Sequence, residues 1–398
     1  MEPAIQRRHQ YNSFTADHKL FYSHGMMSGW LVALPIISGL LVLLAWFSKS
    51  RRRALVLAQV AATVFGLGVF EAYLAFQKAA GDGTRMEGTI TAGFKHSDDL
   101  LGYAPNKDTR VTARKFHGNS LIYDVAYTIG PNGLRISPPA KAAGRGCVIF
   151  FGDSITFGEG VRDEESFPYQ VGIKTGGDYA VYNFAFSGYG PHQMLADLQA
   201  RREEIVDCTP THFIYLCIPE HVERVAGLAA WDQHGPRFRL TTGGKVIRDG
   251  NFDSPDDLSV LGTIDQRIKG ALDEFLTWQK LFGGAREAGS ADLTLLTAVI
   301  REAARTAQER YPRSKFHVLL WDGSDNERVR AIESGLHAAG TPVHRETKAI
   351  PDFRANWRQY VLSEYDLHPN PRQLERLADY VARSILGGDD ADAQQSLR

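Results

Sequence analysis

The sequence predicts an α/β protein: a parallel, doubly wound sheet preceded by a two-helix membrane hairpin and a small β-rich segment. Three observations predict it. Two long apolar runs lie near the N-terminus, loosely alternating residues follow, and thereafter short apolar runs alternate with helix-period segments. The 398 residues suffice for one large domain with accessories, or for two domains. With 43% hydrophobic, 11% aromatic and 23% charged residues, the composition is that of a folded protein. The 45 basic and 46 acidic residues leave a net charge of −1, which gives no bulk attraction to nucleic acid.

Residues 1–27 read as an N-terminal tail and residues 28–80 as a transmembrane helical hairpin, with the bilayer contacted through residues 28–76. Trp30 to Phe47 is almost wholly apolar, and Ala54 to Phe76 is a second such run. Each comes near the ~20 residues that a helix needs to cross the hydrocarbon core. Ser48 to Arg53 lies between them as a hairpin turn, and it holds Lys49, Arg51, Arg52 and Arg53. The positive-inside rule then puts the turn in the cytoplasm and both chain ends outside the inner membrane, on the periplasmic side. Arg7, Arg8 and Lys19 in the tail pull against that orientation. The soluble alternative is a pair of buried core helices. A cleaved signal peptide fits poorly: the first run starts late, is longer than an h-region, and lacks a small-residue site before the basic cluster. Glu71, near the outer end of the second run, reads as a carboxylate snorkelling to the interface rather than a buried functional one.

Residues 81–145 read as a β-rich lead-in. Gly81 to Thr84 resembles a linker, Leu121 to Ile129 alternates like a strand, and turn signals recur at Pro105-Asn106, His117–Asn119 and Pro131–Gly133. Strands of the parallel sheet are then expected at Cys147–Phe151, Tyr179–Phe184, His212–Ile218, Lys315–Trp321 and, more weakly, Pro342–His344. Helices are expected at Met194–Val206, Ala291–Arg310, Asn326–Ala339 and Pro371–Leu386, the last opened by proline and closed by Gly387-Gly388. Residues 224–290 fit this rhythm poorly. They carry Trp231, Phe238, Phe252, Phe275, Trp278 and Phe282, and read either as an insertion or lid over the active face or as an ordinary long connection. Residues 389–398 read as a flexible tail. The three cysteines, Cys147, Cys208 and Cys217, form neither a zinc pattern nor a disulfide framework, and all three read as structural core residues.

In open parallel sheets ligands gather at the carboxyl ends of the strands, and three polar clusters fall there. Gly152-Asp153-Ser154 follows the first strand, where a helix start can offer N–H groups to an anion. Asn183 to Gly190 follows the second, and Gly188 allows close backbone approach with an N–H directed at an oxyanion. Asp366-Leu-His368-Pro-Asn370 precedes the last helix. It supplies a histidine of the right basicity and a carboxylate two residues away to fix its tautomer. Each cluster alone is ordinary turn chemistry. Together they occur in a mutually consistent order.

That order resembles the SGNH/GDSL hydrolase family of esterases, lipases, carbohydrate deacetylases and related acyltransferases, over residues 146–388. The resemblance implies a three-layer α/β/α flavodoxin-like domain needing no cofactor and no metal. Phe151 to Gly158 is similar to the nucleophile block, which makes Ser154 the nucleophile and its amide one oxyanion donor. Asn183 to Gly188 is similar to the second block, which makes Gly188 the other donor. Asp366 to Asn370 resembles the last block, with His368 as base. Two departures stand out. The family's acid lies three residues before the histidine, where this chain has Tyr365; Asp366 is favoured over Glu364. The third block's oxyanion asparagine is missing, and Ile218-Pro-Glu-His-Val222 stands in its place. Loss of one such donor costs about 100- to 1,000-fold in rate.

The expected reaction is hydrolysis of an acyl or acetyl ester through an acyl-enzyme on Ser154, with an ester or acetylated glycan as substrate. Two alternatives stay open: an O-acetyltransferase acting on surface polysaccharide, and a glycan-binding relative with a decayed site. A metal-dependent phosphoesterase built on Asp153, Asp366 and His368 has no further ligand cluster in the sequence to support it. The oligomeric state is not legible.

Overall fold

A computed structural model describes residues 29–80, 83–254, 272, 275–281 and 287–387. The expected tails and Phe282 lie outside them. The described residues divide into two compact units: those up to 84 together with those from 254 to 287, and residues 85–253 with 288–387.

The smaller unit is a helical hairpin of α1 (Trp30–Trp46) and α2 (Arg51–Ala80). The Ser38 hydroxyl donates to the Ala61 carbonyl at 3.0 Å between them, and Gly68 leaves room for Leu34. Outward faces expose Val32, Ile36, Leu40, Leu43, Phe65 and Phe76. Among the described residues one helix, α2 over Arg51–Gln77, is long and apolar enough to cross a membrane, and α1 is a shorter apolar helix of 17 residues. Two expectations change here. Arg51, Arg52 and Arg53 form the first turn of α2 rather than the loop. Glu71 does not snorkel: it is buried, and its carboxylate accepts hydrogen bonds from the Leu276 and Thr277 amides (2.9 and 2.7 Å) and the Thr277 hydroxyl (2.8 Å). A buried carboxylate needs such donors, and the start of a helix offers unpaired N–H groups. Phe275 also stacks on Trp30, with centroids 4.9 Å apart. The aromatic-rich stretch is therefore divided: its part beyond Ser254 belongs to the hairpin unit and only residues up to 253 to the other.

In the larger unit the lead-in supplies β1 (Thr84–Glu87), β2 (Lys95–Asp98), β3 (Gly102–Pro105), β4 (Thr109–His117) and β5 (Ser120–Ile129). β4 and β5 form a long antiparallel hairpin whose register shifts between Lys115 and Phe116, a bulge of the kind that re-aims a side chain. The main sheet has five parallel strands: β6 (Gly146–Phe151), β7 (Tyr179–Asn183), β8 (His212–Cys217), β11 (Lys315–Leu320) and β12 (Val343–Arg345), in spatial order β12-β11-β8-β6-β7. All five match expected strands to within a residue or two. The strands are apolar because both faces are covered. Val148, Phe150, Ile214, Leu216 and Leu319 share a core with Phe167 and Val171, and with Leu374, Leu377 and Val381. Strand residues of opposite phase point to the other face, where Phe213 meets Tyr311 at the end of the helix Ser290–Arg310.

From β6 the chain passes to β7 on one side, then returns to β8 on the other. The crevice where the order reverses is where such sheets bind ligands. Two helix boundaries differ from expectation. The helix expected at Met194–Val206 begins at Pro191 and ends at Gln199, with a 3₁₀ turn over Arg202–Ile205. The last is α-helical over Pro371–Tyr380 and widens to a π-turn over Val381–Leu386. The aromatic-rich stretch contributes the antiparallel hairpin β9 (Pro236–Leu240) and β10 (Val246–Asn251). The reading of the cysteines is corrected: Cys147 and Cys208 are joined in a disulfide, and Cys217 alone is a free, buried thiol. Cys147 opens β6 and Cys208 lies just before β8, so neighbouring strands bring together residues 61 apart in sequence.

Candidate active site

β6 ends at Phe151, and a single helical turn, Ser154–Phe157, follows. Asp153 caps it: its carboxylate accepts the Ile155 amide at 3.0 Å. Gly158, at φ +90°, ends it in the left-handed conformation. Buried Arg135 braces the turn by donating to the carbonyls of Phe157, Gly158 and Val161 at 2.7, 2.6 and 2.8 Å. Ser154 is thus the first residue of a short helix at the mouth of the switch-point crevice.

The loop after β7 lies alongside. Asn183, its last strand residue, donates to the Thr156 carbonyl at 3.1 Å and accepts the Ala185 amide at 3.1 Å, tying the two loops together. Gly188 sits at φ +85°, a conformation other residues adopt only with strain. Its carbonyl accepts the Trp231 indole N–H at 3.3 Å. Ser187, just before it, donates its hydroxyl to buried Glu159 at 2.7 Å. From the lead-in, the Tyr103 hydroxyl donates to the Ser187 carbonyl at 2.9 Å.

His368 and Asp366 arrive on β14 (Asp366–Pro369), paired antiparallel with β13 (Val361–Ser363). Asn370 caps the following helix by accepting the Gln373 amide. His368 Nε2 lies 2.8 Å from Ser154 Oγ, and His368 Nδ1 lies 2.7 Å from Asp366 Oδ1. That carboxylate also accepts the His368 amide at 3.0 Å, which fixes the ring from two sides. Asp366, rather than Glu364, is the carboxylate that reaches the histidine. Its second oxygen is 3.0 Å from Lys115 Nζ, with both side chains fully buried. Strand alternation brings Lys115 there, on the same inward face of β4 as Val111 and Ala113.

Electrostatics follow from these contacts. Burial alone would raise the Asp366 carboxyl, but the Lys115 ammonium and then the imidazole hold it far below the usual carboxylate range. Burial disfavours the imidazolium of His368, and the Asp366 carboxylate overrides it, so the net shift is upward. A base held by a permanent anion can accept a proton from Ser154 and bear the resulting charge.

In the missing third block, His221 is buried, with Nδ1 2.5 Å from the Tyr215 hydroxyl and Nε2 3.4 Å from Asp153 Oδ2. Asp153 itself pairs with Arg224 at 3.0 Å. The two carboxylates of the metal alternative are therefore each committed to a cation, Asp153 to Arg224 and Asp366 to Lys115. Among the described residues no cluster of three His, Cys, Asp or Glu side chains is arranged to hold a metal.

The sequence reading missed Lys115, Arg135, Glu159 and Arg224, and it named Trp231 only as one aromatic of the 224–290 stretch. Lys115 alone left a sign, because it falls in phase with the inward-facing Val111 and Ala113 of β4.

The chain resembles solved G-D-S-L lipolytic proteins and carbohydrate esterases. One is a member of the lipolytic G-D-S-L family from Veillonella parvula DSM 2008, at 14% identity over 60% of this chain and 98% of that one, TM-score 0.35. Another is the acetyl xylan esterase Est2A from the rumen bacterium Butyrivibrio proteoclasticus, at 15% identity over 64% and 67%, TM-score 0.33. A third is a carbohydrate esterase family 2 enzyme with a carbohydrate-binding domain from Corynascus thermopiles, at 14% identity over 70% and 76%, TM-score 0.34. No protein-family model matches the chain, and no curated protein matches it.

Proposed function

We propose that the chain is a serine ester hydrolase of the SGNH/GDSL type. The supporting observation is the unbroken hydrogen-bonded line from Ser154 through His368 to Asp366, at 2.8 and 2.7 Å. In the proposed cycle His368 takes the hydroxyl proton as Ser154 attacks an ester carbonyl, and the Ser154 and Gly188 amides hold the oxyanion. His368 returns the proton to the leaving alcohol, then activates the water that releases the acyl group. The substrate class is an acyl or acetyl ester, including acetylated glycans.

A decayed, purely glycan-binding protein would have no need of so complete a relay. Transfer of the acyl group to a glycan hydroxyl is the second reading. It is favoured by the burial of Ser154 and His368, which are 0% and 2% exposed and thus shielded from bulk water. Product analysis with and without a glycan acceptor separates the two.

We place the hairpin in a bilayer, with α2 as the spanning helix and α1 beside it, because its outward apolar faces have no other use in water. The Cys147–Cys208 disulfide favours the catalytic domain on the oxidising side of the membrane.

The test is labelling with a fluorophosphonate. The wild-type protein is expected to label, and Ser154→Ala to lose labelling with its melting temperature intact. Labelling that survives this substitution would exclude Ser154 as nucleophile.

A further inference from the structure

We infer that Arg224 is a positioning residue: its guanidinium ties the turn carrying Ser154 to the loop carrying Gly188, and so sets the gap between the two amides proposed to hold the oxyanion. The inference rests on the hydrolase reading and deepens it.

The clamp consists of a few contacts. Arg224 lies on the helix His221–Val225, directly after β8, and is 2% exposed. One nitrogen, Nη1, donates to Asp153 Oδ2 at 3.0 Å and to the Tyr189 carbonyl at 2.6 Å. Asp153 immediately precedes Ser154, and Tyr189 immediately follows Gly188. A single planar group thus binds the side chain just before one proposed donor and the carbonyl just after the other. Trp231 adds a second hold by donating to the Gly188 carbonyl at 3.3 Å, and the guanidinium lies 5.8 Å from its ring.

The anchor is permanently charged. Burial would raise the Asp153 carboxyl, but Arg224, then His221, keeps it well below the ordinary carboxylate range. Burial pushes the His221 imidazole down to about 4, so it is neutral at physiological pH. The Tyr215 phenol, raised well above its ordinary value chiefly by burial, stays protonated and donates to His221 Nδ1. The remaining imidazole proton therefore sits on Nε2, facing Asp153 from 3.4 Å. Arg224 and His221 both come from the segment where the resembled family keeps its oxyanion asparagine. Here that segment supplies a buried ion pair that orders the two remaining donors instead of a third donor.

The role predicts a loss in kcat rather than in binding, because donor spacing matters most to the tetrahedral species. The full chain in detergent micelles, with active sites counted by fluorophosphonate titration, is assayed on p-nitrophenyl acetate. Arg224→Gln is expected to lose about 100-fold in kcat per titrated site with KM changed by less than about 3-fold. Arg224→Lys keeps the charge but not the rigid planar fork, and is expected to lose only about 10-fold. Adding Asp153→Asn to Arg224→Gln is expected to cost little more, since the two act as one unit. A folded Arg224→Gln with wild-type kcat, or a loss carried in KM, overturns the role. Should the glutamine variant not fold, a lysine variant with wild-type kcat overturns it equally. Failure of the wild-type protein to label at Ser154 would instead sink the hydrolase reading, and the clamp's purpose with it.

Discussion

The proposed relay through Ser154, His368 and Asp366 leans on a lysine, Lys115, that hydrogen-bonds only to the last of the three. Lys115 lowers the His368 pKa by its charge while Asp366 raises it. On the proposed mechanism His368 works only when neutral, so kcat/KM is expected to rise with pH through an ionisation above that of an ordinary histidine. Lys115→Met removes the opposing charge, so this limb should move to higher pH; movement to lower pH would contradict the assignment. The same variant strips Asp366 of a buried cation, and a loss of roughly 3–5 kcal/mol is expected in urea unfolding. Ser154, His368 and Asp366 were readable because each is placed by its distance from a strand or helix end. Lys115 was not, since its partner lies 251 residues away and nothing local reports such a pairing. Arg224 was hidden for the same reason, its carboxylate partner Asp153 lying 71 residues away, and the role of Trp231 was hidden because it acts on a backbone carbonyl, which has no letter in the sequence.

Among elements, the strands were the most legible. A run such as Val148-Ile-Phe-Phe151, buried on both faces, can be little else between turn residues. Helix ends were less so, because the change from α to π after Tyr380 involves residues that suit either. Why the nucleophile turn stands so close to the β13–β14 hairpin was not legible at all. Gly160, at φ +80°, lies against Leu362 of β13 and Tyr123 of β5, and a Cβ there would collide with the Leu362 methyl. The Gly160 amide also donates to the Tyr127 hydroxyl at 2.8 Å. The methyl ends a half-buried side chain and can rotate aside, so Gly160→Ala is expected to destabilise by the ~1–2 kcal/mol of left-handed strain. An unchanged melting temperature would show that this conformation carries no such strain.

For the whole molecule, the doubly wound sheet followed from composition and rhythm, whereas the disulfide did not. An odd number of widely spaced cysteines hides a bond that only the β6–β8 pairing creates. Replacing Cys147 and Cys208 by serine is expected to cost about 2–5 kcal/mol. Reducing agent should lower the melting temperature of the wild-type chain and leave the double variant unaffected. The apolar hairpin was legible as such, but the burial of Glu71 was not, because the segment that covers it comes some 200 residues later.

That long reach in sequence bears on how the protein is made. The proposed centre joins Lys115 to Asp366 and Ser154 to His368, separations of 251 and 214 residues. Contacts so distant in sequence form late, after the chain between them has been synthesised and collapsed. A nascent chain halted between Ser154 and β14 holds the proposed nucleophile but neither its proposed base nor its acid. On that mechanism such a chain is inert toward esters. On the proposed mechanism, competence therefore arrives in a single step once β14 has been made and has docked, and fragments ending before it carry no acyl-transfer activity.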